Sequence, residues 1–139
     1  MADVSDESAL EALVNLTISE FGRIDCLINN AGWHPPPKTI DEFSVKDMRD
    51  LFQLNFISYF AMCKLCLPHL RKVKGNIINM SSLVGFFGQA SAPTYAATKG
   101  AITSFSKALV SIYVKMGRIV VSDSHLNTTG MVARVCVSV

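Results

Sequence analysis

The sequence predicts an α/β fold built on a parallel sheet. Two short apolar runs, IDCLINN at 24–30 and GNIINMSS at 75–82, are bounded by small or polar residues, as buried parallel strands are. Stretches with helical spacing lie before, between and after them. The order helix, strand, helix, strand, helix is the pattern of right-handed crossovers between parallel strands.

Each element has a local cause. Residues 5–21 place Leu10, Leu13, Val14, Thr17, Ile18 and Phe21 at a helical period, and Gly22 supplies the stop. A second helix of about 44–71 starts near Ser44 and ends around Lys74 and Gly75. Within it, LFQLNFISYFAMCKLCLPHL at 51–70 comes nearest to a membrane span, but Gln53, Asn55, Lys64 and Pro68 interrupt it too often for lipid. It is read as a helix buried in protein, with no membrane partner. A third helix opens at Ser91-Ala92-Pro93, where proline is tolerated in the first turn, and runs past Leu109.

Composition narrows the function. The chain has 139 residues, 50% hydrophobic and 17% charged, which is enough apolar surface to bury one core. Net charge is +2, and the basic cluster Lys64, His69, Arg71, Lys72 and Lys74 reads as a cationic helix end and not as a nucleic-acid surface. The four cysteines, Cys26, Cys63, Cys66 and Cys136, include a C-x-x-C, but it lies inside a helix instead of at a helix N-terminus, and no second pair completes a metal site. They are expected to be reduced thiols in a cytoplasmic protein that binds no metal. The acidic start MADVSDESALEAL has neither the basic nor the apolar region of a secretory signal.

Tyr95 and Lys99 stand one helical turn apart and share a face. An ammonium beside a phenol favours the phenolate, so Tyr95 can serve as a general acid/base. Ser82 ends the second strand, with 12 residues between it and Tyr95. Asn55 sits in a largely apolar helix, where a buried amide is costly without partners. In an open parallel sheet, ligands bind beyond the carboxyl ends of the strands, so the loops beginning at Asn29 and Ser81 share one rim. AGWHPPP, residues 31–37, lies on that rim.

The ordered set N-N-A-G at 29–32, a helix asparagine at 55, S-S at 81–82 and S-x12-Y-x-x-x-K ending at Lys99 resembles the short-chain dehydrogenase/reductase family over residues 3–109. The resemblance implies an NAD-dependent oxidoreductase acting on a small-molecule substrate, a steroid or a sugar alcohol. It implies that Tyr95 exchanges a proton with the substrate, that Lys99 binds the nicotinamide ribose, that Ser82 hydrogen-bonds the reacting oxygen and that Asn55 anchors a relay water. Asn30, Ala31 and Gly32 would run beneath the cofactor, and Asp3 and Val4 would meet its adenine. Trp33, His34 and the prolines would form a stiff wall on the substrate side, with Gln89 opposite. The helices at 44–71 and 93–109 would carry a homo-oligomer interface.

The resemblance also implies a Rossmann-type, doubly wound, three-layer sheet, from which the first βαβαβ half is missing. No T-G-x-x-x-G-x-G loop for a pyrophosphate occurs in the sequence. In the strand order 3-2-1-4-5-6, strands four, five and six remain contiguous, and the strand at 24–29 is expected to present an unpaired apolar edge with low solubility. Residues 1–109 read as a partial catalytic domain. Residues 110–139 read as an atypical tail, since Val110-Ser111 is what a splice-donor consensus would encode, although RIVVS within it has the β-branched content of a strand. The isolated chain is expected to be weakly active or inactive, the alternative being a non-catalytic isoform that associates with full-length subunits.

Overall fold

The computed structural model describes residues 2–113, 119–123 and 134–136. Helix α1 (Glu7–Phe21) starts at Asp6, whose carboxylate accepts hydrogen bonds from the Ser8 and Ala9 amides, and stops at Gly22 in the left-handed region at φ 74°. Its inner face buries Leu10, Val14 and Thr17, while Phe21 continues the period but ends the helix 59% exposed. Strand β1 (Cys26–Asn29) follows, and a single 3-10 turn (Ile40–Glu42) lies in the loop beyond it.

The long central helix is interrupted. Helix α2 (Val45–Phe52) begins with a capping box between Ser44 and Asp47, passes through a π turn (Gln53–Ile57) and continues as α3 (Ser58–Val73). Such π turns are frequent at functional positions, and this one contains Asn55. By length and composition alone Val45–Val73 could cross a membrane, yet Leu51, Tyr59, Met62, Cys63, Cys66 and Leu70 along it are buried against the rest of the chain. The basic end expected of this helix is present, with Arg71 and Lys72 in its last turn.

Strand β2 (Asn76–Ser81), the short α4 (Val84–Phe87), helix α5 (Pro93–Tyr113), strand β3 (Ile119–Asp123) and strand β4 (Arg134–Cys136) complete the description. The sheet runs β3-β2-β1-β4, with β1, β2 and β3 parallel, so the three strands expected to remain contiguous do so. Helices α3 and α5 cover the face that carries Leu27, Asn29, Ile77, Asn79 and Ser81. Ile28, Ile78 and Met80 on the other face are only half-buried, and no second helical layer is found among the described residues. The core joins α1, α3 and the strands through Leu10, Val14, Ile24, Leu27, Cys66 and Ile77.

One expectation is corrected. The outer edge of β1 is not open: β4 pairs with it antiparallel, matching Cys26 with Cys136, Leu27 with Val135 and Ile28 with Arg134. An edge of unpaired N–H and C=O groups attracts any extended segment, and the short run RVC, with Val135 at its centre, supplies one. The other calls on the tail fall largely on residues outside those described. Cys63 and Cys66 are buried free thiols, and desolvation pushes each up to about 12. Cys26 is half-buried, and the side chain of Cys136 lies outside the described residues.

Helix α4 lies on α5 through bare backbone. A Cβ on Gly85 would come 2.6 Å from the carbonyl carbon of Lys99 and 2.7 Å from the Gly100 nitrogen. Neither is a flexible side-chain end. Gly85→Ala is therefore expected to destabilise the fold by about 2–3 kcal/mol, since overpacking here can be relieved only by moving backbone. Thermal unfolding would record this as a fall in Tm of about 8 °C, and an unchanged Tm would show that the two helices separate freely. Truncation before Arg134 is expected to reopen the β1 edge and shift the chain toward aggregates on size-exclusion chromatography. A truncated chain that elutes as the intact one does would mean that β4 does not protect that edge.

Candidate active site

The site is organised by a row of buried polar contacts between α5 and β2. Asn79 Nδ2 donates to Ser106 Oγ at 2.8 Å, Ser81 Oγ lies 2.6 Å from Thr103 Oγ1, and Ser81 Oγ donates to the Lys99 carbonyl at 3.0 Å. Strand positions 79 and 81 face one way, and helix positions 99, 103 and 106 fall on one face, so the two periodicities mesh. Asn79 is joined in turn to Asn29 Nδ2 at 2.8 Å across the β1–β2 ladder, where the two are register partners.

This docking places Lys99 and Tyr95. Lys99 is only 5% exposed, and its ammonium donates to the Met80 carbonyl at 2.6 Å. The same Nζ lies 5.6 Å from the centre of the Tyr95 ring and 5.9 Å from that of Tyr59, so the cation is sandwiched against two aromatic faces. Tyr95 is half-buried. Ser82, also buried, accepts from the Val84 amide at 3.4 Å and is held beside the Lys99 turn by the Gly85–Gly100 contact.

Asn55 fixes the loop after β1. Its Oδ1 accepts from the Trp33 amide at 2.9 Å, and its Nδ2 donates to the Trp33 carbonyl at 2.9 Å and to Thr98 Oγ1 at 3.2 Å. Both amide protons are thereby committed to protein, which satisfies a fully buried polar group and ties the loop to α5. The loop then brings His34 against Tyr95, with ring centroids 4.2 Å apart and a tilt of 50°. His34 Nδ1 lies 2.7 Å from the Pro35 carbonyl, which requires a proton on Nδ1. Trp33 is 53% exposed, and the Lys38 amide donates to the Ser91 carbonyl at 2.8 Å, tying this loop to the one that carries Gln89. Gln89 is exposed and donates to Ser91 Oγ at 3.3 Å.

A shallow cleft brings together Val4, Asn29, Asn30, Ala31, Tyr59 and Met62. Val4 belongs to the core, whereas Asp3 is exposed and accepts from the Ser5 amide and hydroxyl at 2.9 and 2.7 Å. Those hydrogen bonds, the amide first, hold its carboxyl below the ordinary range. Gly32 faces the junction: a Cβ there would stand 3.4 Å from Asn55 Oδ1 and 3.9 Å from Lys99 Nζ. No group of His, Cys, Asp and Glu suited to a metal ion occurs among the described residues.

Sequence reasoning missed Asn79, Thr98, Gly85 and Tyr59. Asn79 had a signal, since LINN and IINMSS carry asparagines at matching places. Tyr59 had only its one-turn spacing from Asn55.

A match to the short chain dehydrogenase family spans residues 1–132. The chain is 51% identical over 109 residues to an L-fucose dehydrogenase of Bos taurus, covering 78% of this chain and 40% of that protein. It therefore spans about two-fifths of the length of the curated relatives it matches. Among solved structures, ElxO with NADP bound aligns at TM-score 0.78 and 30% identity over 84% of this chain and 47% of that one. The NADH-dependent reductase A1-R′ complexed with NAD aligns at TM-score 0.79 and 26% identity over 88% and 55%. The meshing of α5 with a parallel Rossmann-type sheet, the N-N-A-G loop under Asn55 and this match over nearly the whole sequence establish that the chain belongs to the short-chain dehydrogenase family.

Proposed function

We propose that this chain carries the proton-transfer half of an NAD-dependent dehydrogenase for secondary alcohols. The observation behind the reading is the buried Lys99 ammonium beside the Tyr95 ring at the mouth of the N-N-A-G loop. Bound there, a nicotinamide dinucleotide supplies or takes up a hydride. Tyr95 Oη exchanges the proton with the substrate oxygen, and the Lys99 ammonium stabilises negative charge as it develops on that phenol. Ser82 Oγ, oriented by Val84, hydrogen-bonds the same oxygen. Asn55 keeps the Trp33 backbone, and so Gly32, in place. A relay water would have to use what its committed amide leaves over.

The residues present fit the ribose and nicotinamide part of such a cofactor. Gly32 stands over Asn55 and Lys99, within van der Waals reach of both, and Asn30, Ala31 and Val4 line the neighbouring cleft. The sequence offers no glycine-rich loop for the diphosphate, so affinity and turnover are expected to be low. An L-fucose-type sugar is the favoured substrate, because the His34 imidazole lies beside Tyr95 and the bovine, rat and mouse relatives are L-fucose dehydrogenases. A 17β-hydroxysteroid is the second reading, supported by the exposed Trp33, Phe86 and Phe87.

Oxidation of both substrates with NAD and with NADP tests the reading. Turnover is expected with NAD, and Tyr95→Phe should lower it by at least about 100-fold. Undiminished turnover in that variant would end the assignment.

The association reading rests on a separate feature. Phe56 of the π turn and Phe60 of α3 each pack on Phe105 of α5, with centroids 5.7 and 5.9 Å from it, and Phe60 is 47% exposed. We expect the chain to self-associate through these helices and Phe60→Ser to weaken that association in sedimentation velocity. A wild-type chain that stays monomeric at every concentration would exclude the interface.

A further inference from the structure

Two of the four cysteines meet across the sheet. Strand β4 runs antiparallel to β1, and its register sets Cys136 directly opposite Cys26. Directly opposite residues of an antiparallel pair have Cα atoms about 4.5–5.5 Å apart, inside the span of roughly 4.4–6.8 Å that a disulfide bridges without moving the backbone. The two positions are far apart in sequence, so only the fold brings them together.

The other two thiols are of a different kind. Cys63 and Cys66 stand buried on α3, where desolvation pushes each thiol up to about 12 and suppresses the thiolate that disulfide exchange requires. Cys26 is only half-buried. It lies at the amino end of β1, away from the rim where Asn29 leads into the candidate site. The ladder that it shares with β4 is three pairs long, so a covalent tie there reinforces a short attachment.

We propose that Cys26 and Cys136 form a reversible disulfide that clasps β4 onto the edge of β1 under oxidising conditions. The thiolate of one cysteine attacks a low-molecular-weight disulfide such as oxidised glutathione and releases one reduced thiol. The second cysteine attacks the mixed disulfide and releases the other. Two protein thiols thereby become one S–S bond, the small disulfide is reduced to two thiols, and the protons of the protein thiols end on them. Reduced glutathione reverses both steps.

The test is oxidation of the full chain with glutathione disulfide, in buffer and in urea, followed by alkylation, tryptic mapping and thermal unfolding. In buffer, peptides 24–38 and 135–139 are expected to be joined and to separate on reduction. In urea, Cys63 and Cys66 are expected to pair instead, because the loop between them is far shorter. Oxidation should raise Tm by about 10 °C in the wild type and leave that of Cys136→Ser where it was. Unjoined peptides in buffer, or the same pairing in buffer as in urea, would overturn the proposal by showing that the fold does not bring the two cysteines together. A bridge that forms but leaves Tm unchanged would overturn its role as a clasp.

Discussion

The seam between α5 and β2 is the constraint on which the site depends. A purely apolar helix–sheet contact tolerates sliding, because one methyl group is much like the next. Asn79 with Ser106 and Ser81 with Thr103 are different: each pair is buried and is satisfied in only one register. A slip of one residue would leave several polar groups unpaired, each costing roughly 1–3 kcal/mol. The position of the helix is therefore fixed along its axis and about it. Tyr95 and Lys99 inherit that position, as does Ser82 through the glycine contact between α4 and α5.

The second brace is Asn55. Its side chain occupies both backbone groups of Trp33 and reaches Thr98 on α5, so the loop after β1 moves with the helix that carries the tyrosine. The π turn that contains it changes the phase of the long helix at one point. The residues on either side keep their own packing, Leu51 before the turn and Met62, Cys63 and Cys66 after it. Three prolines then stiffen the loop that holds His34 against Tyr95.

Much of this was legible in the sequence. Helix limits at Ser44, Gly22 and Lys74 followed from capping chemistry, and both parallel strands were marked by apolar runs bounded by small or polar residues. The juxtaposition of Tyr95 and Lys99 followed from helical spacing. What could not be read were contacts that depend on tertiary distance. The bare-backbone approach of Gly85 to Lys99 has no periodic signature, and the placement of the Tyr59 ring against Lys99 is a property of its surroundings. The pairing of β4 with β1 was missed because three residues, of which only Val135 is β-branched, are too short a run to stand out from a tail.

That last strand bears on how the molecule is made. The edge of β1 waits for a partner that lies about a hundred residues further along the chain. At ordinary rates of synthesis, ~5–20 residues per second, on the order of ten seconds pass before Arg134 to Cys136 leave the ribosome. Throughout that interval Leu27 and Ile28 offer open backbone to any neighbouring nascent chain. Closing the sheet from the far end thus ties successful folding to how crowded the polysome is and to whether a chaperone shields the strand, even though the finished fold hides the hazard.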